Sequence, residues 1–178
     1  EGIRILDFSW VGAGPFVTKP LADHGAEVIK IESRSKLDVI RSMHPFKDGI
    51  PGIDRSGYYA NRNSSKYSMT LNLKTPQGIE IAKELVKRSD VVVNNFSAHV
   101  MDKLGLGYEE AKKLNPDIIY LSMPMQGATG PHSRYKGYGL TIGALSGLYA
   151  LTGHTDEEPC GTGTNYPDHA PNPLHGAI

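Results

Sequence analysis

The chain holds a single cysteine, Cys160, so no internal disulfide can form, and a reducing, cytosolic setting is the expectation. It has no excess of charge of either sign. Lys and Arg number 19 and Asp and Glu number 19, which removes the global field that would draw it to nucleic acid or to a membrane surface. Long apolar runs are missing too: none approaches the roughly 20 residues that cross a bilayer, and the first residues lack a signal-peptide pattern. His24, His44, His99, His132, His154, His169 and His175 show no metal-ligand spacing, and no G-x-S-x-G elbow is present, so neither a metal centre nor Ser/His/Asp hydrolysis is expected. Any anionic ligand must be met by local basic residues.

Glycine and proline, by contrast, are plentiful, 20 and 12 of 178 residues, and they mark long loops between regular elements, as in an α/β enzyme. The length suits one domain, or one and a fragment of another. The chain starts at Glu1 directly upstream of a strand and stops at Ile178 in mid-pattern, which suggests a piece of a longer protein.

Ile3 to Phe8 is an apolar run of strand length, followed by the turn Gly12-Ala13-Gly14-Pro15. Pro15 fits the first position of a helix running to His24, with Gly25 as its stop. Ala26 to Glu32 is a second strand, so one right-handed strand-helix-strand unit opens the chain. From Ser33 to Met69 periodicity is lost among Pro, Gly and basic residues. So long a structureless stretch predicts a functional segment or one ordered against another subunit, with a short helix at Tyr58 to Asn63. Tyr67, Met69, Leu71 and Leu73 then alternate with polar residues, as on a half-buried strand.

Thr75-Pro76 starts a helix through Arg88, Val91 to Val93 is a buried strand, helical pieces follow at Ala98 to Leu104 and Tyr108 to Leu114, and Ile118 to Ser122 is the next strand. Leu140 to Leu151 reads as a helix despite Gly143 and Gly147. Setting aside the half-buried strand at Tyr67 to Leu73, four strands alternating with helices predict an α/β, doubly wound, mainly parallel sheet covered on both faces. Ligands of such sheets bind beyond the C-terminal strand ends, here Val11 to Pro15, Glu32 to Arg34, Asn94 to Ser97 and Ser122 to Gly127.

Gly12-Ala13-Gly14 with Glu32 imitates a dinucleotide-binding fingerprint, but Val17 stands where its third glycine belongs. Lys74, Lys103, Arg134 and Lys136 lie in or beside loops and could meet a phosphorylated ligand, although each alone also reads as a solvated surface charge. Near the end, Asp168 is a lone acid in the Gly- and Pro-rich stretch Gly161 to Pro173. Pro167 and Pro171 would push Tyr166 and Ala170 towards extended backbone and hold the carboxylate on a stiff, non-helical loop, a place suited to chemistry. The alternative is an acid that caps a turn or a following helix.

Several pieces in order, GIRILDFSWVGAGP, EVIKIE, NRNSSKYSMTLNLKTPQG, VVVNNF, LGLGYEEAKKLNPDIIYLSM and QGATGP, resemble the family III CoA-transferases of CaiB/BaiF type, whose relatives include formyl-CoA and carnitine CoA-transferases and α-methylacyl-CoA racemases. The resemblance covers nearly the whole chain. It implies a Rossmann-like large domain within a chain about twice as long, interlocked with a second subunit as a homodimer or related heteromer. Residues 1–151 would be the CoA-binding part of that domain, and 152–178 the catalytic-aspartate loop and the start of the connection onward.

The resemblance further implies Asp168 as nucleophile and Val11, Leu71, Lys74, Asn95, Phe96, Lys103, Lys136 and Tyr138 as CoA-binding positions. The substrates would be an acyl-CoA and a carboxylic acid, with no permanently bound cofactor. Two departures stand out. Gly12 occupies a place where the formyl-CoA transferases carry glutamine, which favours a bulkier acid than formate or oxalate. Tyr138 stands where the racemases hold a histidine base, and an unperturbed phenol of pKa ~10 is a poor base, so racemisation ranks below transfer. A non-catalytic dinucleotide-binding domain is the remaining alternative.

Overall fold

The computed structural model describes residues 2–178. Its centre is β1, Arg4–Asp7, flanked in parallel by β2, Glu27–Glu32, and β4, Val91–Asn94. β3, Tyr67–Thr70, and β5, Ile119–Ser122, close the two edges, so the sheet has five strands in the order β3-β2-β1-β4-β5, all parallel. The half-buried strand expected at Tyr67 to Leu73 thus joins the parallel sheet and ends at Thr70. Leu71 turns inward below it, 7% exposed.

Because successive side chains of a strand point to opposite faces, the continuous apolar runs feed two cores at once. Leu6 and Val92 meet Ala82 and Val86 of α3, Pro76–Lys87, with Met101 of α4, Val100–Lys103, and Ala111 of α5, Tyr108–Leu114. Ile5, Val28 and Val93 face the other way onto Ala22 of α1, Ala13–Asp23. The expected doubly wound architecture is therefore present, although α1 begins at Ala13, two residues ahead of Pro15, and carries Pro20 inside it. Among the described residues no helix is long and apolar enough to cross a membrane.

The stretch that lost periodicity is ordered by polar anchoring instead. It contains helical turns at Val39–Ser42 and Lys47–Gly49, then α2, Gly57–Asn63. Ser56 Oγ caps α2 by accepting from Tyr59 N and donates to the carbonyls of Ile40 and Met43.

Two expectations fail at the C-terminal end. Leu140 to Leu151 is not one helix: α6, Gly139–Leu145, stops and a 3-10 turn, Leu148–Leu151, follows, because Gly147 takes a left-handed conformation with φ 77°. The segment around Asp168 is not a non-helical loop. Tyr166–His169 forms the single turn α7 and Pro171–Ala177 forms α8. Tyr166 lies inside α7, and Ala170 between the two helices has φ −129° and ψ −78°, so neither is extended. Pro167 and Pro171 sit in the first turn of each helix, where the missing N–H would have no partner anyway and the fixed φ favours helix. α8 packs on α1, and α7 against α6 and α8.

Candidate active site

The strand ends converge through a few buried polar contacts. After β1 the chain turns at Trp10-Val11-Gly12, and Val11 is held at φ 65°, an unusual conformation for a β-branched residue. Its N–H donates to both carboxylate oxygens of Asp38 at 3.1 Å, and Asp38, 1% exposed, also faces Lys30 Nζ at 3.5 Å. Asn95, just beyond β4, accepts from Trp10 N at 2.8 Å and donates to Trp10 O at 2.7 Å. A side chain at Gly14 would overlap Ser9, its Cβ falling 2.3 Å from that of Ser9. The β1 and β4 loops are therefore fixed to each other and to the segment after β2.

Beyond these ends lies a cavity of about 1080 Å³. Val11, Leu71, Asn95 and Phe96 line its floor and inner walls, Lys74, Lys136 and Tyr138 its exposed margin, and Asp168 one wall. Lys36 joins the cationic margin, its Nζ 5.5 Å from the centre of the Trp10 ring. Lys103 is not brought in: Val100 and Leu104 line the cavity, whereas Lys103 is exposed on α4 outside it. Arg134 also stays outside. Three lysines around an otherwise largely apolar concavity suit a ligand that carries phosphate at one end and apolar or amide groups along its length.

Asp168 is half-buried, and Gly139 N–H at the start of α6 donates to its Oδ2 at 2.9 Å. A Cβ at Gly139 would stand 2.9 Å from Asp168 Cγ, so only glycine allows this approach. Gly12 faces the same residue, and a Cβ built there would be 3.7 Å from Asp168 Cβ and 4.0 Å from Tyr58 Oη. His169 is engaged on the far side, with Nε2 3.2 Å from Tyr58 Oη and Nδ1 3.2 Å from Thr164 Oγ1. Burial, and then the nearby Arg62 cation, push the His169 pKa down, against an upward pull from Asp168.

Glu32, the residue that would bind a ribose in a dinucleotide site, is otherwise occupied. It accepts from Arg41, from Tyr59 Oη at 2.6 Å and from Asp38 N at 3.0 Å. Burial would raise its pKa, but these partners hold it down at about 2. Sequence reasoning found the Lys74, Lys136 and Asp168 neighbourhood and missed Lys36, Asp38, Tyr58 and Arg62. All four lie in the stretch with no periodicity, where nothing marks which polar residue turns inward.

The sequence profile of CoA-transferase family III matches residues 1–178. Among curated proteins, succinyl-CoA:glutarate CoA-transferase of Mus musculus is 42% identical over 171 residues, covering 96% of this chain and 38% of its own length. Formyl-CoA:oxalate CoA-transferase of Streptomyces coelicolor is 39% identical over 168 residues, 94% of this chain and 40% of its own. Among solved structures, a CAIB/BAIF family protein from Brucella suis superposes with a TM-score of 0.89 at 34% identity, covering 99% of this chain and 46% of that one. The chain thus spans about two-fifths of the length of the curated relatives it matches.

Proposed function

This chain belongs to CoA-transferase family III, and from that premise we propose that the protein it comes from moves CoA from an acyl-CoA thioester to an acceptor carboxylic acid, with Asp168 as the nucleophile. The observation that carries the reading is the placement of one carboxylate, oriented by a backbone N–H, in the wall of a lysine-rimmed cavity at the C-terminal edge of the sheet.

With Oδ2 held by Gly139, Oδ1 is the oxygen presented for attack. It adds to the thioester carbonyl; the C–S bond breaks, leaving an aspartyl mixed anhydride and CoA thiolate. The thiolate attacks the aspartyl carbonyl, the donor acid departs as its carboxylate, and an aspartyl-CoA thioester remains. The acceptor carboxylate attacks that thioester and displaces the thiolate, which then takes the acceptor acyl group and frees Asp168. Backbone N–H groups of the glycine-rich loops would stabilise each oxyanion. Lys36, Lys74 and Lys136 would hold the CoA phosphates, and the apolar floor of Val11, Leu71 and Phe96 its pantetheine arm. No metal or redox group enters the scheme. Exposed apolar side chains such as Ile50, Ile53, Leu145 and Leu151 offer area for the rest of the protein and for the second subunit of the expected interlocked dimer.

The full-length protein, incubated with acyl-CoA and then with borohydride, should lose turnover and show a mass change on the peptide containing Asp168, through reduction of the aspartyl thioester. An unmodified peptide during active transfer, or undiminished transfer by Asp168→Ala, would overturn the assignment.

A further inference from the structure

Val11 is the backbone outlier of the cavity. Among the described residues the non-glycine positions of positive φ are Val11, Asp48, Ser65, His99 and Asp156, and Val11 alone is β-branched. A branched side chain disfavours the left-handed region, so such a residue persists there only where its surroundings over-determine it, commonly beside a functional site.

The surroundings here are specific. Asn95 takes both main-chain groups of Trp10, and the Val11 N–H donates to both carboxylate oxygens of Asp38. Asp38 is itself pinned. Its Oδ1 accepts from Ile40 N at 3.2 Å, its own N–H donates to Glu32 Oε1 at 3.0 Å, and Lys30 Nζ, which also donates to Ser9 O, stands 3.5 Å from Oδ2. Asp38 and Lys30 are each 1% exposed, and neither lines the cavity. A buried pair of this kind adds little net stability over apolar residues of the same volume, because both charges lose their water; what it supplies here is a fixed acceptor.

What that acceptor fixes faces the nucleophile. Gly12 follows Val11 in the turn and lines the cavity, and a Cβ built on it would stand 3.7 Å from Asp168 Cβ. Nothing among the described residues accepts from the Gly12 N–H, so the turn brings a free backbone donor to the lining beside Asp168. Were Val11 to relax to negative φ, the chain beyond it would change direction and Gly12 would leave this place.

We propose that Asp38 is a positioning residue for CoA transfer: by holding Val11 left-handed, it keeps Gly12 and its N–H beside Asp168. The inference rests on the proposed reaction and adds to it a residue that acts without touching either substrate.

The test uses the full-length protein and its Asp38→Asn variant, in which Oδ2 gives way to an amide nitrogen that repels the Lys30 ammonium and cannot accept from Val11. At saturating acyl-CoA, kcat per folded protein should fall about 10- to 100-fold, while KM for acyl-CoA changes by less than about threefold, since the lysines that meet its phosphates lie elsewhere. Adding Val11→Gly should recover kcat by at least about threefold, because glycine takes a positive φ without help from Asp38. A role confined to stability would instead lower the melting temperature, leave the kcat of the folded protein intact and give Val11→Gly nothing to restore. Should Asp38→Asn fail to fold, Lys30→Met/Asp38→Asn, which removes the cation together with its anion, takes its place with the same expectations. Unchanged kcat, or a loss that Val11→Gly leaves untouched, would overturn the proposal. A wild-type protein that transfers CoA to no acid would defeat the proposed function itself. Hydrogen exchange over residues 9–14 would then decide the hold: about tenfold faster in Asp38→Asn if Asp38 fastens the turn, unchanged if it does not.

Discussion

Gly139 is constrained more tightly by its neighbour than by its own backbone. Its N–H is bonded to Asp168 Oδ2, and a methyl group in place of its hydrogen would press to 2.9 Å from Asp168 Cγ and 3.0 Å from Oδ2. Gly139→Ala must therefore rotate or displace the carboxylate. Because α6 tolerates alanine well, the fold should lose little while the nucleophile is misplaced, and kcat is expected to fall about 100-fold with the melting temperature nearly unchanged. A variant of wild-type kcat would show that Asp168 is not held where the chemistry needs it. At this scale the sequence was legible in part. Asp168, Lys74 and Lys136 stand out as charged residues in or beside loops, but so do Lys103 and Arg134, which lie outside the cavity, and their expected roles come from the family resemblance alone. The left-handed Val11 and the buried Arg62 could not be picked out, since Val11 depends on Asp38 and Arg62 on the ring of Phe16, each distant in the chain.

Elements with a clean period were readable almost to the residue. α3 was expected over Pro76 to Arg88 and occupies Pro76–Lys87, because Thr75 supplies the cap signal that precedes its apolar stripe. Its Oγ1 accepts from Gly78 N at 3.1 Å and donates to Asn72 O at 3.0 Å, so one hydroxyl both starts α3 and ties it to the turn after β3. Thr75→Ala should cost about 1 kcal/mol, read from denaturant midpoints; a change near zero would mean that water replaces the cap. Where proline and glycine decide the element, the reading failed. The same Pro167 serves as a breaker in a loop or as an opener of α7, and only packing against α6 and α8 settles which. Gly147 could sit inside a helix or end it, and its positive φ ends it.

Across the molecule, charge is buried as a chain of pairs beneath the cavity. Asp7 and Lys66 at 3.2 Å, Lys30 and Asp38 at 3.5 Å, and Glu32 and Arg41 at 2.7 Å join the sheet to the aperiodic segment after β2. Burial alone would raise the Asp7 carboxyl, but the Lys66 and Lys30 cations win and lower it. Lys66 itself is pushed down to about 8, chiefly by burial, against the pull of Asp7. Such a network ties stability to pH through whichever member titrates in an accessible range. Glu32 is the member that does so in acid, since its folded pKa of about 2 lies below the ordinary 4.5. In the window between the two values the unfolded chain takes up a proton that the folded one refuses. The stabilisation is thus complete above pH 4.5 and disappears as pH falls towards 2. Glu32→Gln cannot titrate, so it should be less stable than wild type at neutral pH, where Arg41 and Tyr59 lose their charged acceptor, and should lose less further stability in acid. Urea midpoints measured from pH 7 to pH 2 should therefore converge for the two proteins. Parallel profiles would show that Glu32 is not what fastens this segment to the sheet, and the rigid floor attributed to the cavity would need another source.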